Sequence, residues 1–182
     1  MNTLFERHLE YLSDVPMTFE RELLKTIDWD SRLILIRGPK GVGKSTLMQQ
    51  YILKNYNIFD KQALYCSADT GYFTTHTLVD TAAAFVRQGG ERLFIDEVHK
   101  YDGWSREIKE INDLYKSLKI VLSGSSLIQL NDGESDLSRR QDIYDMPGLS
   151  FREYLWFRTG KEIAPITLEE LLSILEITEE AL

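Results

Sequence analysis

The chain has 182 residues, a formal net charge of −8, and 43% hydrophobic and 27% charged residues. Those values exclude a disordered or fibrous polymer and leave enough material for one ordinary domain with its own core. No apolar run reaches membrane-span length and no signal-peptide core follows Met1, so a cytoplasmic location is expected.

The acidic balance argues against a broad nucleic-acid surface on this portion and leaves nucleic-acid binding outside it open. Cys66 is the sole cysteine and has no partner for an internal disulfide. His8, His76 and His99 lack metal-ligand spacing, and His99, two residues after an Asp-Glu pair, is read as part of a surface turn, with contact to nucleotide or a neighbour as the alternative.

In chain order, Leu4 to Lys25 reads as two short helices broken at Asp14-Val15-Pro16. After the connector Asp28-Trp29-Asp30, the run Leu33-Ile34-Leu35-Ile36 reads as a buried strand. It leads into Gly38-Pro39-Lys40-Gly41-Val42-Gly43-Lys44-Ser45. A helical pattern follows to about Tyr56, with Leu47, Met48, Tyr51 and Ile52 on one face. Strand, G-x-x-x-x-G-K-[ST] loop and helix are the setting of a nucleoside-triphosphate phosphate loop.

The chemistry follows from the residue types. Gly41 and Gly43 let the backbone wrap closely and aim N–H groups inward. The first turn of the helix adds unpaired N–H groups and the positive end of its dipole. Lys44 is expected on the β- and γ-phosphates, the Ser45 hydroxyl on Mg²⁺, and Thr46 near the α-phosphate. Pro39, Lys40 and Val42 complete the lining from Gly38 to Thr46. A glycine-rich turn without a ligand is the competing reading, disfavoured by the flanking strand and helix.

A second strand is expected over Ala63 to Ser67, then a turn-rich stretch through Asp69 to Phe73, and a helix from about Thr77 to Gln88 stopped by Gly89-Gly90. The third strand, Arg92-Leu93-Phe94-Ile95, ends in Asp96-Glu97. Ligands of open α/β sheets lie beyond that strand end. Asp96 is expected to hold Mg²⁺, directly or through water, and Glu97 to activate the water that attacks the γ-phosphate. A surface acidic pair capping a turn is the alternative. The adjacent Glu favours a hydrolase over a phosphotransferase.

Tyr101-Asp102-Gly103 turns into a helix with Ile108, Ile111, Leu114 and Tyr115 at helical spacing, Trp104 packing at its start. The fourth strand begins at Lys119 and is expected to end at Ser123. Its hydroxyls, Ser123 and Ser125 among them, fit a γ-phosphate sensor, while Ser125 or Ser126 equally fits a helix cap before Leu127, Ile128 and Leu130. Asn131 to Gln141 reads as a polar loop, and Ile143 to Met146 as a fifth strand. Ser150-Phe151-Arg152-Glu153 and Thr167-Leu168-Glu169-Glu170 match capping boxes. The last helix would carry Leu168, Leu171, Leu172 and Leu175 on one face.

The expected fold is α/β, a three-layer αβα sandwich on a mostly parallel five-stranded sheet with a helical C-terminal extension. Its expected divisions are an N-terminal helical segment over 1–30, a core over 31–148 and the extension over 149–182.

Taken together, these sites resemble the AAA-like P-loop ATPases of the division with an extra strand between the two Walker strands. More closely, the chain resembles a bacterial and archaeal group of predicted ATPases with an AAA domain followed by a C-terminal domain of unknown function. The resemblance runs from about Leu4 to about Thr159. It is carried by Asp96-Glu97-Val98-His99-Lys100 with Trp104, Ile108, Lys109, Ile111 and Tyr115, by Lys119 to Ser126, and by Ser138-Arg139-Arg140. Met146-Pro147-Gly148-Leu149-Ser150-Phe151-Arg152-Glu153-Tyr154-Leu155 adds its narrowest part.

The resemblance implies Mg²⁺-dependent ATP binding, hydrolysis and a conformational output, with ATP preferred because no Asn-Lys-x-Asp guanine reader is present. It also implies that relatives continue past Leu182, so a truncated or partial chain is expected. A nucleotide-facing role for Arg139 or Arg140 competes with a solvated pair beside Asp136 and Asp142. An ATPase switch or motor is the leading reading, and a nucleotide-gated interaction module with slow or no hydrolysis the second. ATP, and a homo-oligomer or a partner protein, are the expected partners.

Overall fold

Along each central strand the side chains alternate between two apolar layers, which dictates a sheet covered on both faces. Leu33, Leu35, Leu64, Cys66, Leu93, Ile95, Ile120 and Leu122 belong to one buried cluster. Ile34, Ile36, Ala63, Tyr65, Phe94 and Val121 belong to the other. The computed structural model describes residues 1–125, 139–170 and 172–173. The chain divides into two units, Met1–Gly148 and Leu149–Leu182.

The first unit holds the sheet. Its strands are β1 (Leu33–Gly38), β2 (Ala63–Ser67), β3 (Arg92–Asp96), β4 (Lys119–Ser125) and β5 (Asp142–Asp145), in the order β2-β3-β4-β1-β5. Every pairing is parallel. β4 therefore lies between the strand leading into the glycine loop and the strand ending in Asp96. This is the additional-strand arrangement of the P-loop NTPase sandwich.

Helix α1 spans Asn2–Ser13, α2 Leu23–Thr26, α3 Lys44–Asn55, α4 Leu78–Val86 and α5 Trp104–Leu114. Leu47, Met48 and Ile52 of α3 fill one layer. Leu78, Ala82 and Phe85 of α4 and Trp104, Ile108 and Ile111 of α5 fill the other. Helix α1 straddles the edge of the sheet, with Leu4 in one cluster and Leu12 in the other. Between them His8 accepts the Tyr65 N–H through Nδ1 at 2.9 Å, closing the outer edge of β2.

Some boundaries differ from the sequence reading. The expected second N-terminal helix is only the single turn of α2, and residues 15–22 are not helical. The Gln50 amide donates to the carbonyls of Pro16 at 2.6 Å and Phe19 at 2.8 Å, and Lys54 pairs with Glu20 at 2.5 Å. Two of the strap's carbonyls are thus satisfied by a side chain of α3 instead of by helical bonds. Strand β4 continues two residues past Ser123 because its register against β1 runs on to Gly38↔Ser125. A short 3₁₀ turn, Gly71–Thr74, occupies the turn-rich stretch.

The second unit contains α6 (Phe151–Thr159), opened by a capping box. Ser150 Oγ accepts from Glu153 N–H, and Glu153 accepts from Ser150 N–H at 2.8 Å. The reciprocal pair also forms between Thr167 and Glu170. Ser126, Leu127, Ile128, Leu130, most of the Asn131–Gln141 loop, Leu171 and Leu175 lie outside the described residues.

Candidate nucleotide site

The glycine loop and the Asp-Glu pair meet at the carboxyl ends of β1, β3 and β4. Gly41 and Gly43 have φ of +85° and +98°, a region open to glycine at little cost. Gly38 answers to space instead, since a Cβ there would lie 2.3 Å from the Met146 carbonyl oxygen. Pro39, Lys40 and Gly41 form the exposed crest of the loop, whereas Val42, Gly43, Ser45 and Thr46 are half-buried. No side chain caps the first turn of α3 and no acidic residue lies within it. Its N–H groups and dipole thus favour an anion.

Lys44 is buried, and its Nζ donates to the carbonyls of Gly38 and Pro39, both at 2.9 Å. Asp96 is equally buried at the end of β3. Its Oδ1 accepts from the Ser123 hydroxyl and from Glu97 N–H at 3.1 Å, and its Oδ2 from the Tyr65 hydroxyl at 2.6 Å. One hydrogen-bonded chain therefore joins Tyr65, Asp96 and Ser123.

Burial and the neighbouring Asp96 charge raise the pKa of the Tyr65 phenol, so it stays a donor. Burial and the same charge push the Cys66 thiol up to about 12 and keep it inert.

Glu97 adopts φ +52° and ψ +39°, left-handed for a residue with a side chain. Its N–H is shared between Asp96 and Ser123 Oγ, the latter at 3.0 Å. His99 lies in the 3₁₀ turn Val98–Lys100 and meets neighbours on both sides of its ring. Its Nε2 lies 3.4 Å from Glu97 Oε2, and its Nδ1 accepts the Ser125 N–H at 3.4 Å.

Ser123 is fully buried behind the acid pair, whereas Ser125 sits half-buried at the tip of β4. Arg140 pairs with Asp113 on α5.

Over residues 30–155 the chain matches the family model described as an AAA domain. The chain belongs to that family. Nucleotide binding and ATPase chemistry come with an AAA domain as properties of the family, as does frequent oligomerisation. No curated protein matches the chain. Among solved structures it is similar to one described as the structure of C. elegans PCH-2, at 16% identity and a TM-score of 0.45. That match covers 80% of this AAA-domain chain and 42% of the other, so the chain spans less than half of its length. No helix among the described residues is long and apolar enough to cross a membrane.

The residues suit a divalent cation with a polyphosphate. Lys44 and Asp96 are buried opposite charges, and neither has an ion-pair partner among the described residues. The donor set beside Asp96 is hard oxygen, which Mg²⁺ prefers.

Three neighbours of this AAA site were not anticipated from sequence. Tyr65 was legible in part, because a tyrosine in an aliphatic buried strand needs a partner for its hydroxyl. Nothing along the sequence placed the His99 ring on Glu97. Arg21, whose guanidinium reaches Val42 of the glycine loop, carried no signal at all.

Proposed function

We propose that the chain binds Mg²⁺-ATP at this site and hydrolyses it, using the cycle as a conformational switch or motor. The observation that carries the reading is that buried Lys44, opening α3 beyond β1, and buried Asp96, ending β3, stand at the carboxyl ends of one parallel sheet with no ion-pair partner among the described residues. Lys44 and the N–H groups from Gly38 to Thr46 hold the phosphates. Ser45 and Asp96 would hold the metal, which would supply positive charge to neutralise the triphosphate.

Glu97 orients the attacking water and takes its proton, and its strained backbone, bonded to Asp96 and Ser123, fixes where the carboxylate starts. Ser123, bonded to Asp96 and to Glu97 N–H, and Ser125, at the end of β4, are the two candidate γ-phosphate sensors. Catalysis is positioning and electrostatics, with no covalent step on the protein. In this reading the core spans 31–148, preceded by the helical segment 1–30 and followed by the extension 149–182.

Single-turnover hydrolysis by the intact chain and by Glu97→Gln tests the proposal. The expected result is a rate lower by roughly 10²–10⁴-fold in the variant, with Mg²⁺-ATP affinity changed less than about threefold. Equal rates would remove Glu97 as the base and leave a nucleotide-gated interaction module in which hydrolysis is incidental.

A further inference from the structure

Arg21 precedes the single turn of α2 and is buried. Its Nη1 donates to the Val42 carbonyl at 2.6 Å. Its Nη2 donates to the carbonyls of Pro147 at 2.8 Å and Gly148 at 3.1 Å. One guanidinium thus binds the glycine loop to the last residues of the first unit. The strap that delivers it is fastened to α3 through Gln50 and Lys54.

The bond to Val42 has a specific consequence. A trans peptide is planar, so its C=O and N–H point in opposite directions, and the chain has no cis peptide. A carbonyl drawn toward Arg21 directs the N–H of Gly43 away from it. Gly43 sits at φ +98°, and a peptide next to glycine rotates at little steric cost. Left alone, that unit has no intrinsic reason to present its N–H in one direction. The guanidinium supplies one, through a charge-assisted bond of the stronger kind.

We propose that Arg21 is a positioning residue of the phosphate site, holding the Val42–Gly43 peptide so that the Gly43 N–H is committed to bound phosphate. The proposal rests on the reading of the loop as a nucleotide site. It assigns a function in that site to the segment preceding the first strand.

Calorimetric titration with Mg²⁺-ATP and Mg²⁺-ADP decides the matter, using the full chain and three variants held below their melting temperatures. Arg21→Met is expected to raise Kd for both nucleotides at least tenfold. Arg21→Lys keeps the charge but cannot span three carbonyls, and is expected to raise Kd at least threefold. It carries the comparison alone should Arg21→Met fail to fold. Leu24→Ala removes a buried side chain from the same segment without touching the guanidinium, and should lower the melting temperature while leaving Kd within twofold.

Arginine variants that bind within twofold of the wild type overturn the proposal, as does equal weakening by Leu24→Ala, which would mark a merely structural role. A wild-type chain that binds neither nucleotide overturns the site reading and this proposal together.

Discussion

His8 couples the sheet edge to pH. Its ring is fully buried, Nδ1 accepts the Tyr65 N–H, and Nε2 has no hydrogen-bond partner. Burial opposes the charged form and lowers the pKa from 6.5 to about 4. Between those values the unfolded chain binds a proton that the folded chain refuses. The contribution of His8 is therefore complete above pH 6.5 and lost as pH falls toward 4. It amounts to about 3 kcal/mol over the whole window. Urea denaturation at pH 7 and pH 4.5 is expected to show the wild type losing about 2–3 kcal/mol more than His8→Asn, and equal losses would refute the assignment. The same residue marks the limit of sequence reading at this scale. Lys44, Ser45, Asp96 and Glu97 were legible because linear spacing and strand ends fix their place. The partners of His8, Arg21, Tyr65 and His99 lie from two to more than a hundred positions away, and only tertiary packing sets such pairs.

Between elements, a single carboxylate joins α4 to α5. Glu107, in the first turn of α5, accepts from Leu78 N–H at 2.8 Å and Val79 N–H at 3.2 Å, and from the Tyr101 hydroxyl at 2.9 Å. These are orphan donors at the start of α4, which its own cap Thr77 cannot reach because that side chain serves Asp80 N–H. Glu107→Ala is expected to cost about 2–3 kcal/mol, the range for charge-assisted bonds with buried donors left behind. Equilibrium unfolding measures the loss, and amide hydrogen exchange should speed up first at residues 78 and 79. A loss below about 0.5 kcal/mol, the level of an ordinary surface substitution, would show that water replaces the carboxylate. Strands were legible at this scale because buried parallel strands read as apolar runs. The end of β4 and the strap over 15–22 were not, since a neighbour's register decides the first and α3 side chains decide the second.

For the molecule as a whole, stability and ligand binding should reside in one part of the chain. All five strands and every residue of both buried clusters lie within Met1–Gly148. So do the glycine loop, the Asp-Glu pair, and the Arg21 bonds to Val42, Pro147 and Gly148. Residues after 148 add no strand to the sheet among the described residues. A protein ending at Gly148 is therefore expected to unfold in a single cooperative transition in urea. Mg²⁺-ATP is expected to stabilise it and the full chain alike, by about 2.7 kcal/mol at a free ligand concentration one hundred times Kd. Agreement between the two proteins within about 0.5 kcal/mol, the tolerance for independent parts, would place the nucleotide-linked fold within residues 1–148. A shortened protein that folds but has lost the linkage would assign a share of nucleotide binding to residues beyond Gly148. A broad, non-cooperative transition would instead make those residues part of the folding unit.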